Sequence, residues 1–180
     1  MSYEPHKTSR SPSILTPTQP PPSSRGREIG TADLRCGSFH AIIFVVIRMA
    51  NRSKDWFAQA ERDLDQARES QASGRHEWAC FASHQAAEKA LKALHLALRQ
   101  EAWGHVVARL ISELPRNVEV EPSLVDKAHV LDSYYVASRY PNGHVEGAPF
   151  EHYGGLQSEE AIRYAGEILE LARAYVASGK

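Results

Sequence analysis

Nine histidines and two cysteines have the broadest chemical range of the side chains in this 180-residue chain, and their spacing narrows what they can do. His76, His84, His95, His105, His129 and His152 lie scattered, and none forms an HExxH pair or a Cys/His knuckle. A zinc site needs three or four such ligands at recognisable spacings, so neither a metal site nor any other cofactor is expected. Cys36 and Cys80 cannot make a disulfide framework. Cys80 borders an apolar stripe, where a buried free thiol is the ordinary outcome, and both observations fit a reducing cytoplasm. Gln85, Glu88, Lys89 and Lys92 recur at helical spacing. Their plain reading is a solvated face on which Glu88 partners the lysines; the lesser one is a site for a nucleotide phosphate. His84 reads as a satisfied interior histidine.

Charge narrows the partners further. Residues 1–48 hold six Lys/Arg and three acids, a balance of +3, which leaves 15 basic and 19 acidic residues, −4, for the remainder. A domain of that charge is not a general nucleic-acid binder held by phosphate neutralisation, so any RNA contact must be local.

The segment 78–99, WACFASHQAAEKALKALHLALR, must position most of these groups. Phe81, Ala87, Leu91, Leu94 and Leu98 mark one buried helical stripe. Ala79, Ala82, Ala86, Ala90, Ala93 and Ala97 make a second, small enough for a neighbouring helix to approach closely. A helix apolar on two sides belongs at the centre of a bundle. Around it the pattern predicts helices over about 54–72 (Trp56, Ala60, Leu64 and Ala67 inward, Ser53 as cap, Ser73-Gly74 as stop), 76–100, 104–114 and 123–139. Ser123 with Asp126 resembles a capping box. Ser158 is the expected cap of a last helix presenting Ile162, Ala165, Leu169, Ala172 and Val176. Trp103 is expected to seal a helix junction, with one of Tyr134 and Tyr135 in the core and the other at its rim. The fold class is all-α, an up-and-down bundle of about five helices with a disordered N-terminal extension.

Two regions follow: 1–48 and a helical domain over 49–180. Six of the ten prolines fall before residue 23, among serines and threonines with little to bury. The run 41–47, AIIFVVI, is too short for a bilayer, which needs about 20 residues. Met49 precedes the first convincing helix, so translation is expected to begin there, with 1–48 an upstream over-extension. The alternative is a genuine tail whose 41–47 segment docks on the bundle.

Several of these residues together resemble the HEPN domain, the helical module of prokaryotes and higher eukaryotes named for suspected nucleotide binding. The resemblance runs over 53–177 and rests on WFAQAERDLDQA at 56–67, EWACF at 77–81, QAAEKALKA at 85–93, Gly104-His105, LDSYY at 131–135, SRYP at 138–141 and the helix at 161–169. It implies a bundle of about five helices, commonly a homodimer, often paired with a minimal nucleotidyltransferase in a toxin–antitoxin arrangement. In the family's RNase branch an arginine is followed, after four to six residues, by a histidine. Arg139 and His144 have four residues between them.

The resemblance therefore implies a catalytic pair. His144 would move protons near neutral pH, and Arg139 would hold the phosphate through its planar fork, with no metal needed. A two-fold dimer would bring two such pairs into one cleft. Tyr140 and Asn142 would shape that cleft, and Tyr135, Lys89 and Lys92 are further binding candidates. Tyr140 departs from the small polar residue usual after the arginine. Glu146 stands where a related branch has a tyrosine modified by its partner, and Pro141 interrupts the helix between the pair. The plain readings remain open. Arg139 caps helix four or pairs with Asp132, and His144 is an ordinary loop residue. The functional expectation is a cytoplasmic HEPN protein acting with a nucleotidyltransferase, with metal-independent endoribonuclease activity, RNA or nucleotide as ligand, and no membrane partner. The alternative is a non-catalytic module for nucleotide binding, partner binding or dimerisation.

Overall fold

Alanine spacing decides the architecture. In the computed structural model, which describes residues 51–178, α1 (Ser53–Ala72), α2 (His76–Ala97), α3 (Val107–Ser112), α4 (Pro122–Ala137) and α5 (Gly155–Ser178) follow in order. Short 3-10 turns at Pro141–Gly143 and Pro149–Glu151 punctuate the connection between α4 and α5. All six alanines of the second stripe on α2 are buried, together with Ala60 and Ala67 of α1 and Ala161, Ala165 and Ala172 of α5. Small side chains on facing helices let the axes come close, so α2 sits at the centre and packs most extensively on α1 and α5. Leu91 and Leu94 are fully enclosed on the other side, near Leu110, Leu131 and Ile168 in one continuous core. Truncating either to alanine would cost about 2–5 kcal/mol.

The helix ends differ from expectation in instructive ways. Gly74, at φ +74, stops α1 as expected. Arg75 N–H bonds to the Ser70 carbonyl at 2.9 Å and Gly74 N–H to that of Gln71 at 3.0 Å, a paired closure that needs the left-handed residue. The same closure ends α2 three residues earlier than predicted, with Arg99 at φ +61 in the position glycine prefers. At the start of α1 the Asn51 side chain, not Ser53, accepts the first amide, that of Ser53. Helix α4 begins at Pro122, and Ser123 donates to Glu121 instead of forming a box with Asp126. Ser158 lies inside the first turn of α5, buried, accepting from Gln71 and His76 and donating to the Gly155 carbonyl. It joins three helices rather than capping one. Phe57 is more deeply buried than Trp56, a one-residue rotation of the inward face of α1, and Trp103 is 78% exposed, so it seals nothing.

Expectations placed on residues 1–48, including the start at Met49 and docking of 41–47, lie outside the described residues. Among the described residues there is no β-strand, and no helix is long and apolar enough to cross a membrane.

Candidate functional site

Arg139 and His144 hang from one helix end but face different neighbours. The Arg139 Nε and Nη2 both donate to the Tyr135 carbonyl, at 2.9 and 2.5 Å. A cation at a helix C-terminus is favoured by the carbonyls left unpaired there. Its guanidinium carbon lies 4.3 Å from the Phe81 ring centroid, 4.8 Å from that of Tyr135 and 5.1 Å from that of Tyr140. Of the two plain readings of Arg139, the cap is the one the fold adopts; Asp132 is engaged elsewhere.

His144 reaches the same end by a fold-back. After α4 the chain turns so tightly that a Cβ on Gly143 would lie 2.8 Å from the Ala137 Cα. This brings the His144 Nε2 onto the Ala137 carbonyl at 2.8 Å. Its ring stacks on that of His152, centroids 3.9 Å apart and planes within 3°, while Tyr153 meets it edge-on. His152 in turn donates Nε2–H to the Glu146 carbonyl. Tyr140 and Asn142 are both exposed here. The fold thus groups Arg139 with Tyr135 and Tyr140, and groups His144 with His152, a residue that spacing alone left unassigned.

The supposed solvated face of α2 is not open. Glu88 is only 4% exposed and accepts from Lys92 at 2.8 Å. Lys89 bridges to Asp63 of α1 and donates to Gln85, and Lys92 lies over the Trp56 ring. Burial alone would raise the Glu88 carboxyl, but hydrogen bonds and charge from Lys92 and His105 outweigh it and hold the group below its ordinary value.

Around Tyr135 stands a cluster that sequence spacing missed. His105 stacks on the Tyr135 ring, centroids 5.3 Å apart, and His84 lies 4.9 Å away. His105 donates Nδ1–H to both Glu88 oxygens, at 3.1 and 3.2 Å. His84, fully buried, donates Nε2–H to the His105 carbonyl at 3.0 Å, with Asp132 at 3.5 Å, so it is the satisfied interior histidine expected. Asp132 accepts the Val107 and Ala108 amides at 2.6 and 3.1 Å, fixing where α3 starts. Its burial acts to raise the carboxyl, yet the His84 hydrogen bond and those two amides hold it below the usual range. Part of this was visible: His84, Glu88 and Lys92 recur at four-residue steps on one face. Tyr134 is the core partner and Tyr135 the rim one. Cys80 is buried and free, its thiol pushed up to about 12 by desolvation and the nearby Glu77 charge.

Beside this cluster, α1 and α2 enclose a cleft of about 430 Å³. Its walls carry Trp78, Phe81, Gln66, Arg75, Gln85 and Lys89. Trp78 is 48% exposed and meets Phe81 edge-to-face at 6.0 Å. Phe81 therefore lines the cleft and supports the Arg139 guanidinium. Among the described residues no group of three or more His, Cys, Asp or Glu is placed to hold a metal ion.

Three solved structures share this architecture. The Thermus thermophilus protein TT1696 is 46% identical, with TM-score 0.68 over 69% of this chain and 98% of that one. The archaeal HEPN homologue ST0689 is 38% identical, with TM-score 0.59 over 69% and 98%. The HEPN domain protein TM0613 of Thermotoga maritima is 30% identical, with TM-score 0.56 over 68% and 98%. No curated protein matches the chain. The HEPN domain profile matches residues 53–175, which hold the cleft, the Tyr135 cluster and both ends of the Arg139–His144 segment; this chain belongs to the HEPN family.

Proposed function

We propose that this chain is a cytoplasmic nucleotide-binding HEPN module that works beside a nucleotidyltransferase. The reading rests on one juxtaposition: Phe81 is shared between the cleft under Trp78 and the Arg139 guanidinium. An exposed indole takes a planar base, and cations beside it take the phosphate. Arg75 at the cleft and Arg139 beyond Phe81 supply that charge locally, Lys89 being paired with Asp63 on the same wall, which suits a domain of acidic balance. Gln66 and Gln85 offer amide groups to base edges. Titrating the protein with AMP while following tryptophan emission tests the reading. Trp78→Ala should weaken binding by about 1–3 kcal/mol, the value of one stacked base. Equal affinity in both proteins would remove the cleft from the account.

A second reading, endoribonuclease activity within a toxin–antitoxin pair, is favoured by the stacked imidazoles. His144 and His152 each commit Nε2 to a carbonyl, which leaves Nδ1 as the proton acceptor. A homodimer would bring two Arg139–His144 pairs together, with Tyr140 and Asn142 at the rim. Cleavage of RNA by the native chain, lost in His144→Ala and in Arg139→Ala alike, is the expected result. Cleavage equal in all three, or absent throughout, removes this reading and leaves the binding module.

A further inference from the structure

We infer that His105 is a general base for phosphodiester hydrolysis, oriented by Glu88; the inference rests on the nucleotide-binding reading and adds a reaction to it. Four observations converge on this imidazole. Its Nδ1–H is committed to a carboxylate that is itself buried and fixed by Lys92. Its own backbone carbonyl is held by His84, and its ring rests on Tyr135. Its side chain is nonetheless 58% exposed, and Nε2 makes no hydrogen bond to another described residue. The Arg139 guanidinium lies 4.8 Å from the same Tyr135 ring, so a cation able to hold a phosphate shares the platform. A carboxylate that fixes one nitrogen of a histidine leaves the other as an acceptor of defined direction. A purely structural helix junction has no need for an exposed imidazole held at three points.

The step balances with water alone. The His105 Nε2 takes a proton from a water molecule as its oxygen bonds to phosphorus. The ester P–O bond breaks, and the leaving oxygen takes that proton back from the imidazolium. The products are a phosphomonoester and an alcohol, and His105 returns neutral. Glu88 is a positioning residue: it sets the tautomer and touches no substrate.

Bis(4-nitrophenyl) phosphate is the probe, with release of nitrophenolate as the readout. A general base contributes about 10²–10⁴-fold, so His105→Ala should slow hydrolysis at least about 10²-fold. Added imidazole should restore part of the rate to that variant, which a structural defect would not allow. Glu88→Gln should lower kcat with little change in KM. Because Glu88 is buried, nitrogen NMR of the unsubstituted protein gives a check free of folding effects: the neutral His105 ring should carry its proton on Nδ1. A proton on Nε2, or hydrolysis unchanged in His105→Ala, overturns the inference. AMP binding without turnover of the probe overturns it too and leaves the binding module standing, whereas absence of AMP binding overturns both.

Discussion

The platform around Tyr135 and the loop from Pro141 to Tyr153 each hold histidines, but they are built in opposite ways. The platform draws His84 and Glu88, neighbours on one face of α2, together with His105 from the α2–α3 connection and Asp132 and Tyr135 from α4, which no local pattern brings to them. The loop closes on itself and on the helix end just before it: His144 holds Ala137 of α4, His152 holds Glu146, and the two rings stack. Long-range assembly couples a site to the stability of the whole bundle. Local assembly lets a site change at little cost to the fold.

Breaking the platform should accordingly have the largest effect. Asp132→Ala leaves the Val107 and Ala108 amides without their acceptor. Buried donors deprived of partners cost about 1–3 kcal/mol each, so a loss of about 2–4 kcal/mol is expected in urea unfolding. Gly143→Ala strikes the loop where it is tightest, 2.8 Å from the Ala137 backbone. A loss of about 1–3 kcal/mol should follow, with His144 released from the helix end as seen by its NMR shifts. If Gly143→Ala proves costlier than Asp132→Ala, the contrast between the regions is reversed.

The pH dependence sharpens the same comparison. The Glu88 and Asp132 carboxyls are both held below their ordinary values of 4.5 and 3.8 in the folded chain. Depressed carboxyls contribute stability that is fully present above those values and lost as pH falls through the lower folded ones. Thermal melts should therefore show stability dropping below about pH 4.5, and Glu88→Gln should flatten the drop. A curve unchanged by that substitution would mean that the platform carboxylate contributes no such linkage. The smallest effect expected is a gain: Arg99→Gly relieves a left-handed residue at the end of α2 and should stabilise by about 0.5–1 kcal/mol in the same melts.

The two stripes of α2, the glycine stop at Gly74 and the interior place of His84 were all legible, because each depends on helical periodicity or on a residue that tolerates positive φ. Helix starts were less so. Ser53, Ser123 and Ser158 carry the right chemistry for caps, yet the Asn51 side chain takes the first amide of α1, and α4 and α5 begin at Pro122 and Gly155. Any polar side chain near a helix start can bond a free amide, and packing decides which one does. The α2 face of Glu88 and Lys92 looked solvated because periodicity reports polarity, whereas a buried ion pair looks the same in sequence as an exposed one.

Sequence alone determined the helical class and the central helix, since these follow from the order of apolar and small residues along one chain, while its motifs carried the resemblance to the family. Tertiary structure decided what the polar residues do. It turned Arg139 toward Phe81 and Tyr135, paired His144 with His152, and set His105 on Tyr135 with its proton held by Glu88. The physical reason is distance. Hydrophobic periodicity is a property of neighbours three and four apart, while a proton-transfer geometry is a property of atoms about 3 Å apart whose residues lie 17 or more positions away in the chain.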